Sequence, residues 1–187
     1  MRMSRSGIIS FWIIALLSML PFVSCSNSIA DFTEIDCPDA ICGRAFEFAL
    51  LYKETGMQYE LGGQSPLRSA GIDCSGLVVM CYKYALVDTK YNLLFDDASA
   101  KAIYMNYSTP TRFPRRGDLI FMGEADTASV THIAIFDKIE NEKVYFIDST
   151  QKDDNNDGVY EINGVTARNY EKNDGRIKAY GKMRLAY

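Results

Sequence analysis

Three side-chain types in this chain could together attack a carbonyl: a thiol, an imidazole and a carboxylate. The thiol is Cys74, in Asp73-Cys74-Ser75-Gly76, a stretch that follows glycines and opens a run with helical spacing, Leu77 to Ala85. Leu77, Val78, Cys81 and Ala85 share one face of that helix, and Cys74 sits on the same stripe at its start. A thiol at a helix N-terminus lies among unpaired N–H groups at the positive end of the dipole, which favour its thiolate form. Taken alone the stretch fits two readings, a reactive thiol or a small core residue. The sequence holds one histidine, His132, so cysteine–histidine chemistry must use it. In Val130–Phe136 the alternation puts His132, Ala134 and Phe136 on one face of a strand, and Ile133 and Ile135 on the other. A turn at Glu140-Asn141-Glu142 leads to a second strand, Val144–Thr150, carrying Asp148.

We expect the His132 face to turn toward a helix packed across the sheet. If that helix presents Cys74, then nucleophile, base and orienting acid stand in series. The thiolate attacks, the imidazole passes the proton to the leaving amine, and the carboxylate fixes the ring's tautomer. The competing readings are a half-buried histidine with satisfied hydrogen bonds and a strand-end aspartate bonded to backbone.

The elements that must position these groups divide along the chain. Asp39 reads as the cap of a first helix, with an apolar face of Ile41, Ala45, Phe48, Ala49 and Tyr52, ending near Thr55-Gly56. A further helix pattern runs from Ala98 to Tyr107. From Arg116-Gly117-Asp118, a turn signal, the period becomes that of strands: Leu119–Met122, the two strands above, then Val159–Ile162 and Lys178–Leu185. Helices first and antiparallel strands after predict an α+β domain.

The 187 residues suit one domain with a real core. A net charge of −4 gives no support for nucleic-acid binding, which needs a basic face. Five cysteines are too few for a disulfide scaffold at this length. Cys37 and Cys42 flank the start of the first helix, and both a disulfide and two free thiols fit them. Residues 1–24 pair a basic start with an apolar run from Ile8 to Leu20, too short for a membrane span and suited to an export signal. Ser24-Cys25 ends that region as a lipobox does, with Phe22 where an aliphatic is usual. Cys25 is therefore the expected lipidation site, with ordinary cleavage near Ser24 as the alternative. Residues 25–36 read as a tether and residues 37–187 as the catalytic domain.

The ordered set Tyr59-x-x-Gly62-Gly63, Asp73-Cys74-Ser75-Gly76-Leu77, Arg116-Gly117-Asp118-Leu119 and Thr131-His132-Ile133-Ala134-Ile135 resembles the motifs of NlpC/P60 peptidases, papain-like cysteine peptidases of bacterial cell walls. The resemblance spans about residues 40–187 and implies the papain-like NlpC/P60 fold, with helices packed on a central antiparallel sheet. It implies Cys74 as nucleophile and His132 as base, with the Cys74 N–H helping to form the oxyanion hole. Tyr59 would stand near that hole, and Asp73 and Ser75 would line the substrate pocket, the carboxylate meeting the peptide's amine end. Two positions depart from the family. Asp148 stands where histidine is frequent, and Leu61 where an aromatic is frequent. The implied reaction is cleavage of peptidoglycan stem peptides at the γ-D-glutamyl bond to the diamino acid. It needs no cofactor and no metal. The expected protein is a monomer in the cell envelope, lipid-anchored to a bacterial membrane, whose partners are stem peptides or muropeptides.

Asp153-Asp154-Asn155-Asn156-Asp157-Gly158 has the opening of a calcium loop, but Gly164 stands where an EF-hand needs Glu, so a solvated turn is the favoured reading. Two other functions stay open. One is an amidase of the related CHAP type, cutting between muramic acid and L-alanine. The other is a wall-binding lipoprotein without catalysis.

Overall fold

The computed structural model describes residues 32–67 and 69–187. The export segment, the Cys25 lipidation site and most of the tether lie outside them. The tether's last residues are part of the folded unit: Glu34–Asp36 form a strand, β1, antiparallel to the chain's final strand.

Helix α1 spans Asp39–Glu54. Its cap is Pro38 rather than the expected Asp39. The proline carbonyl accepts from the N–H groups of Ile41 and Cys42. Asp39 is instead the first helical residue, where its charge complements the dipole and pairs with Arg115 and Lys182. Helix α2, Cys74–Leu86, is apolar almost all round, and Leu77 to Tyr82 are buried between α1 and the sheet. Helix α3 is shorter than its pattern suggests, Ala100–Asn106, because Ser99 caps it and the chain turns to strand at Ser108.

After β1 come β2 (Asn92–Leu93), β3 (Ser108–Thr111), β4 (Leu119–Met122), β5 (His132–Glu140), β6 (Lys143–Lys152), β7 (Ile162–Glu171) and β8 (Ile177–Ala186). They form an antiparallel sheet in the order β1-β8-β4-β5-β6-β7, with β2 and β3 also paired to β8. The expected strand at Val159–Ile162 is displaced: Val159 and Tyr160 are exposed loop, and β7 starts at Ile162. The β5–β6 turn falls where the sequence places it, with Asn141 and Glu142 both at positive φ, the conformation that matches strand twist in a two-residue hairpin.

The sheet has two apolar faces. Leu119, Phe121, Ile133, Ile135, Ile147 and Val165 pack with α1 and α2 in the main core. Ile120, Met122, Ala134, Phe136, Val144 and Phe146 form a smaller cluster on the other face. This corrects the expected orientation of β5. The helix lies over Ile133 and Ile135, whereas Ala134 and Phe136, the residues in phase with His132, turn away from it. Strand alternation assigns faces correctly but does not say which face the helix covers. His132 is the first residue of β5 and Cys74 the first of α2, and the two groups come together at these ends.

Candidate functional site

The residues before α2 are held by a compact loop. Tyr59 and Gln64 both bridge to Ile72, bringing Gly62-Gly63 against the start of the helix. Asp73 caps α2. One carboxylate oxygen accepts from the Gly76 N–H at 2.6 Å and the Ser75 hydroxyl at 3.0 Å, and the other from the Gly62 N–H at 2.9 Å. Asp73 thus clamps the glycine loop to the helix terminus that carries the thiol. The glycine of Asp-Cys-Ser-Gly is steric in origin: a Cβ on Gly76 would stand 2.1 Å from the Gly63 carbonyl oxygen. Cys74 itself is partly exposed. Tyr59 is half-buried beside it. Burial, then the neighbouring Cys74 and Asp73, push its phenol up, so it keeps its proton as a hydrogen-bond donor. Leu61, on the same loop, is exposed.

Across from the helix, Nε2 of His132 lies 2.6 Å from Oδ2 of Asp148. That contact leaves Nδ1 for the thiol, and the Cys74 sulfur interacts with the ring. Burial acts to lower the imidazole's proton affinity, but the bonds to Asp148 and Cys74 outweigh it and raise the pKa to about 9. Asp148 is fully buried. Burial alone would raise its carboxyl, yet His132 and Arg168 hold it below the ordinary carboxylate range. The two strands that carry the ring and the carboxylate are adjacent in the sheet.

Two contributors are not visible in the sequence pattern. Arg168, on β7 opposite Phe146, donates from Nε to Asp148 Oδ1 at 3.0 Å and from Nη2 to Oδ2. The other is Ser149, whose hydroxyl donates to the Ile72 carbonyl at 2.6 Å. It ties the residue after Asp148 to the residue before Asp73, so β6 and the loop before α2 share one buried bond. Arg168 has a signal in principle, since a buried aspartate needs a counter-charge and Arg168 is the cation on the paired strand in phase with it. Finding it requires the β6–β7 register, which the loop at 153–161 obscures.

The remaining motifs are structural. Gly117 turns at φ +92° against the Cys42 carbonyl, and its own carbonyl accepts from the buried Tyr82 hydroxyl at 2.7 Å, joining the Arg-Gly-Asp turn to α2. Burial pushes the Asp118 carboxyl up. Cys37 and Cys42 are buried free thiols. The Asp153–Gly158 loop joins two strands rather than two helices, and the Asp153 carboxylate accepts from the N–H groups of Asp157 and Gly158. One carboxylate oxygen each of Asp153, Asp157 and Glu161 lie within 4.8 Å of one another on this exposed loop.

A thiol at a helix N-terminus meeting an imidazole and carboxylate on an antiparallel sheet defines the class: an α+β protein with a cysteine–histidine site. The model of the NlpC/P60 family matches residues 56–172, which include every site residue from Tyr59 to Arg168, and the chain belongs to that family. Membership suggests a peptidoglycan-related hydrolase. Among solved structures, a protein similar to a lipoprotein of the NLP/P60 family from Staphylococcus aureus matches with a TM-score of 0.50 at 22% identity, over 81% of this chain and 44% of that one. The structure of Ly7917 matches with a TM-score of 0.48 at 11% identity, over 76% of this chain and 62% of that one. The chain thus spans less than half the length of the first and under two thirds of the second. Among curated proteins no sequence matches.

Proposed function

We propose that this protein is a cysteine endopeptidase that cuts peptidoglycan stem peptides, with Cys74 as nucleophile, His132 as acid and base, and Asp148 as the orienting group. The observation that carries the reading is the His132–Asp148 contact of 2.6 Å on a ring that also meets Cys74. The thiolate attacks the scissile carbonyl, and the oxyanion forms against the Cys74 N–H with the Tyr59 hydroxyl nearby. A ring that keeps its proton to about pH 9 is charged at neutral pH and can donate to the departing amine. Collapse breaks the amide bond and leaves a thioester on Cys74. The now neutral imidazole takes a proton from water, which attacks the thioester and releases the carboxylate product. Asp148 stabilises the imidazolium throughout and never accepts its proton, because His132 itself and then Arg168 keep the carboxyl ionised.

The bond is the γ-D-glutamyl link to the diamino acid, in a peptide with a free L-alanine amine. Asp73 supports this choice: three donors occupy its two oxygens and leave acceptor capacity for one ammonium. A glycan-linked peptide has no such amine. The protein works at the envelope, anchored through Cys25. Replacing Cys25 with Ser should move it from the detergent phase to the soluble one, and equal partitioning would overturn the anchor.

The test of the activity is incubation with defined muropeptides, with and without glycan, and weighing of the products. The expected products are L-Ala-D-Glu and a fragment beginning with the diamino acid, from the free peptide only. Release of an intact stem peptide from the glycan would instead indicate a CHAP-type amidase. No product, with Cys74 inert to alkylation at neutral pH, would indicate a wall-binding lipoprotein.

A further inference from the structure

Asp148 stands where the family frequently has a histidine, and an aspartate there brings a difficulty that histidine does not. It places a full negative charge in a fully buried position, which is costly without a counter-charge. The His132 imidazolium cannot serve alone, because the ring must give up its proton in each cycle. Arg168 meets the need. Its fork holds both Asp148 oxygens, Nη1 donates to the Tyr170 hydroxyl at 3.1 Å, and the guanidinium stacks beside the rings of Phe146 and Tyr170 at 5.4 Å. With every part of the guanidinium engaged, the orientation of the carboxylate is fixed, and Oδ2 is presented to Nε2 of His132.

We propose that Arg168 is a positioning residue of this site: its fork aims Asp148 at His132, and its permanent charge loosens the ring's hold on its proton. The inference rests on the catalytic reading above for its effect on turnover, but not for its effect on the ring. With Arg168 present, loss of the His132 proton leaves a carboxylate and a guanidinium, which are together neutral. Without it, the same loss leaves a lone buried negative charge, so the ring holds its proton more firmly. The other ionisable groups around the ring do not replace Arg168. Glu124, Lys152 and Arg176 line the cavity of about 200 Å³ beside His132. Arg176 is engaged by Asp174 and Lys152 by Asp154. Cys74 approaches from the helix, with Tyr59 and Asp73 behind it.

The sequence contains one histidine, so histidine-labelled full-length protein gives an NMR titration of His132 alone, independent of any substrate. In Arg168→Gln, which keeps a donor but loses the charge, the ring's midpoint should rise by about one pH unit over the parent. In Arg168→Lys, which keeps the charge but not the fork, the midpoint should stay at the parent's value while kcat falls about tenfold with KM unchanged. A merely structural arginine would leave the midpoint alone in both folded variants. An unmoved or lowered midpoint in Arg168→Gln overturns the proposal, as does a fully active Arg168→Lys, so either variant suffices if the other does not fold. If the parent cleaves no stem peptide while the Arg168→Gln midpoint still rises, the endopeptidase reading fails and the coupling of Arg168 to His132 stands.

Discussion

The site contains two buried aspartates, and they are held in opposite ways. Asp73, at the start of α2, is surrounded by backbone N–H groups and a hydroxyl, none of which titrates near neutrality. Asp148, in the sheet, is surrounded by an imidazole and a guanidinium. The first arrangement fixes a shape: it pins Gly62 to Gly76 and so places the thiol. The second fixes a proton, because whatever Asp148 does is felt at once by His132. The same residue type at similar depth therefore acts on geometry in one region and on charge in the other.

The largest effects should come from the groups between the two carboxylates. Cys74→Ala should abolish turnover with the fold intact, since the thiol is partly exposed and contributes little packing. His132→Ala should be nearly as severe, because no second histidine exists. Single-turnover cleavage, with folding checked by circular dichroism, measures both.

Asp148 comes next. Asp148→Ala should lower kcat by about 10²–10⁴. It should also destabilise the fold by about 3–5 kcal/mol, because Arg168 loses its buried counter-charge. Asp148→Asn keeps an acceptor for the ring and should retain more activity than the alanine variant. An Asp148→Ala variant with parental kcat would remove the distinction between the two aspartates.

At the helix end, Asp73→Asn should reverse the emphasis. It puts an amide where three N–H or O–H donors converge and should lower stability by about 1–3 kcal/mol in urea unfolding. Its activity on a peptide with a free N-terminal L-alanine should fall much more than on an N-blocked one. Equal loss on both would mean that Asp73 only holds the loop.

A further effect, of similar size, is in the pH dependence of stability. The pKa of His132 is raised to about 9 from an ordinary 6.5. The stabilisation it provides is therefore complete below about pH 6.5 and disappears as pH rises through about 9. Asp148 is shifted down, so its share is present above the ordinary carboxylate pKa of 3.8 and disappears only in stronger acid. The thermal midpoint should fall between pH 6.5 and pH 9 by an amount worth roughly 1–3 kcal/mol. In Asp148→Asn that decline should largely vanish, whereas in Asp73→Asn it should persist.

What the sequence reveals divides along the same line. Asp73, Cys74, Ser75 and Gly76 are local: capping, dipole and close approach all act within four residues, so the motif can be read directly. The series of His132 and Asp148 is legible too, because a two-residue turn fixes the pairing of their strands. The covered face of β5 is not legible, since alternation is symmetric until something packs on one side. Arg168 and Ser149 are hidden for a related reason. Their partners, Asp148 and Ile72, are 20 and 77 residues away, and only the assembled sheet brings them together. The short strands β1, β2 and β3 have no period to read and exist because β8 offers them unpaired edges.

The most direct test of the central claim is the mass of the intact protein after mixing with L-Ala-γ-D-Glu-diamino acid peptide and quenching in acid. The expected result is an adduct of the alanyl-glutamyl acyl group, located on Cys74 by peptide mapping and absent in Cys74→Ala. Cleavage of that peptide by a folded Cys74→Ala variant would contradict it.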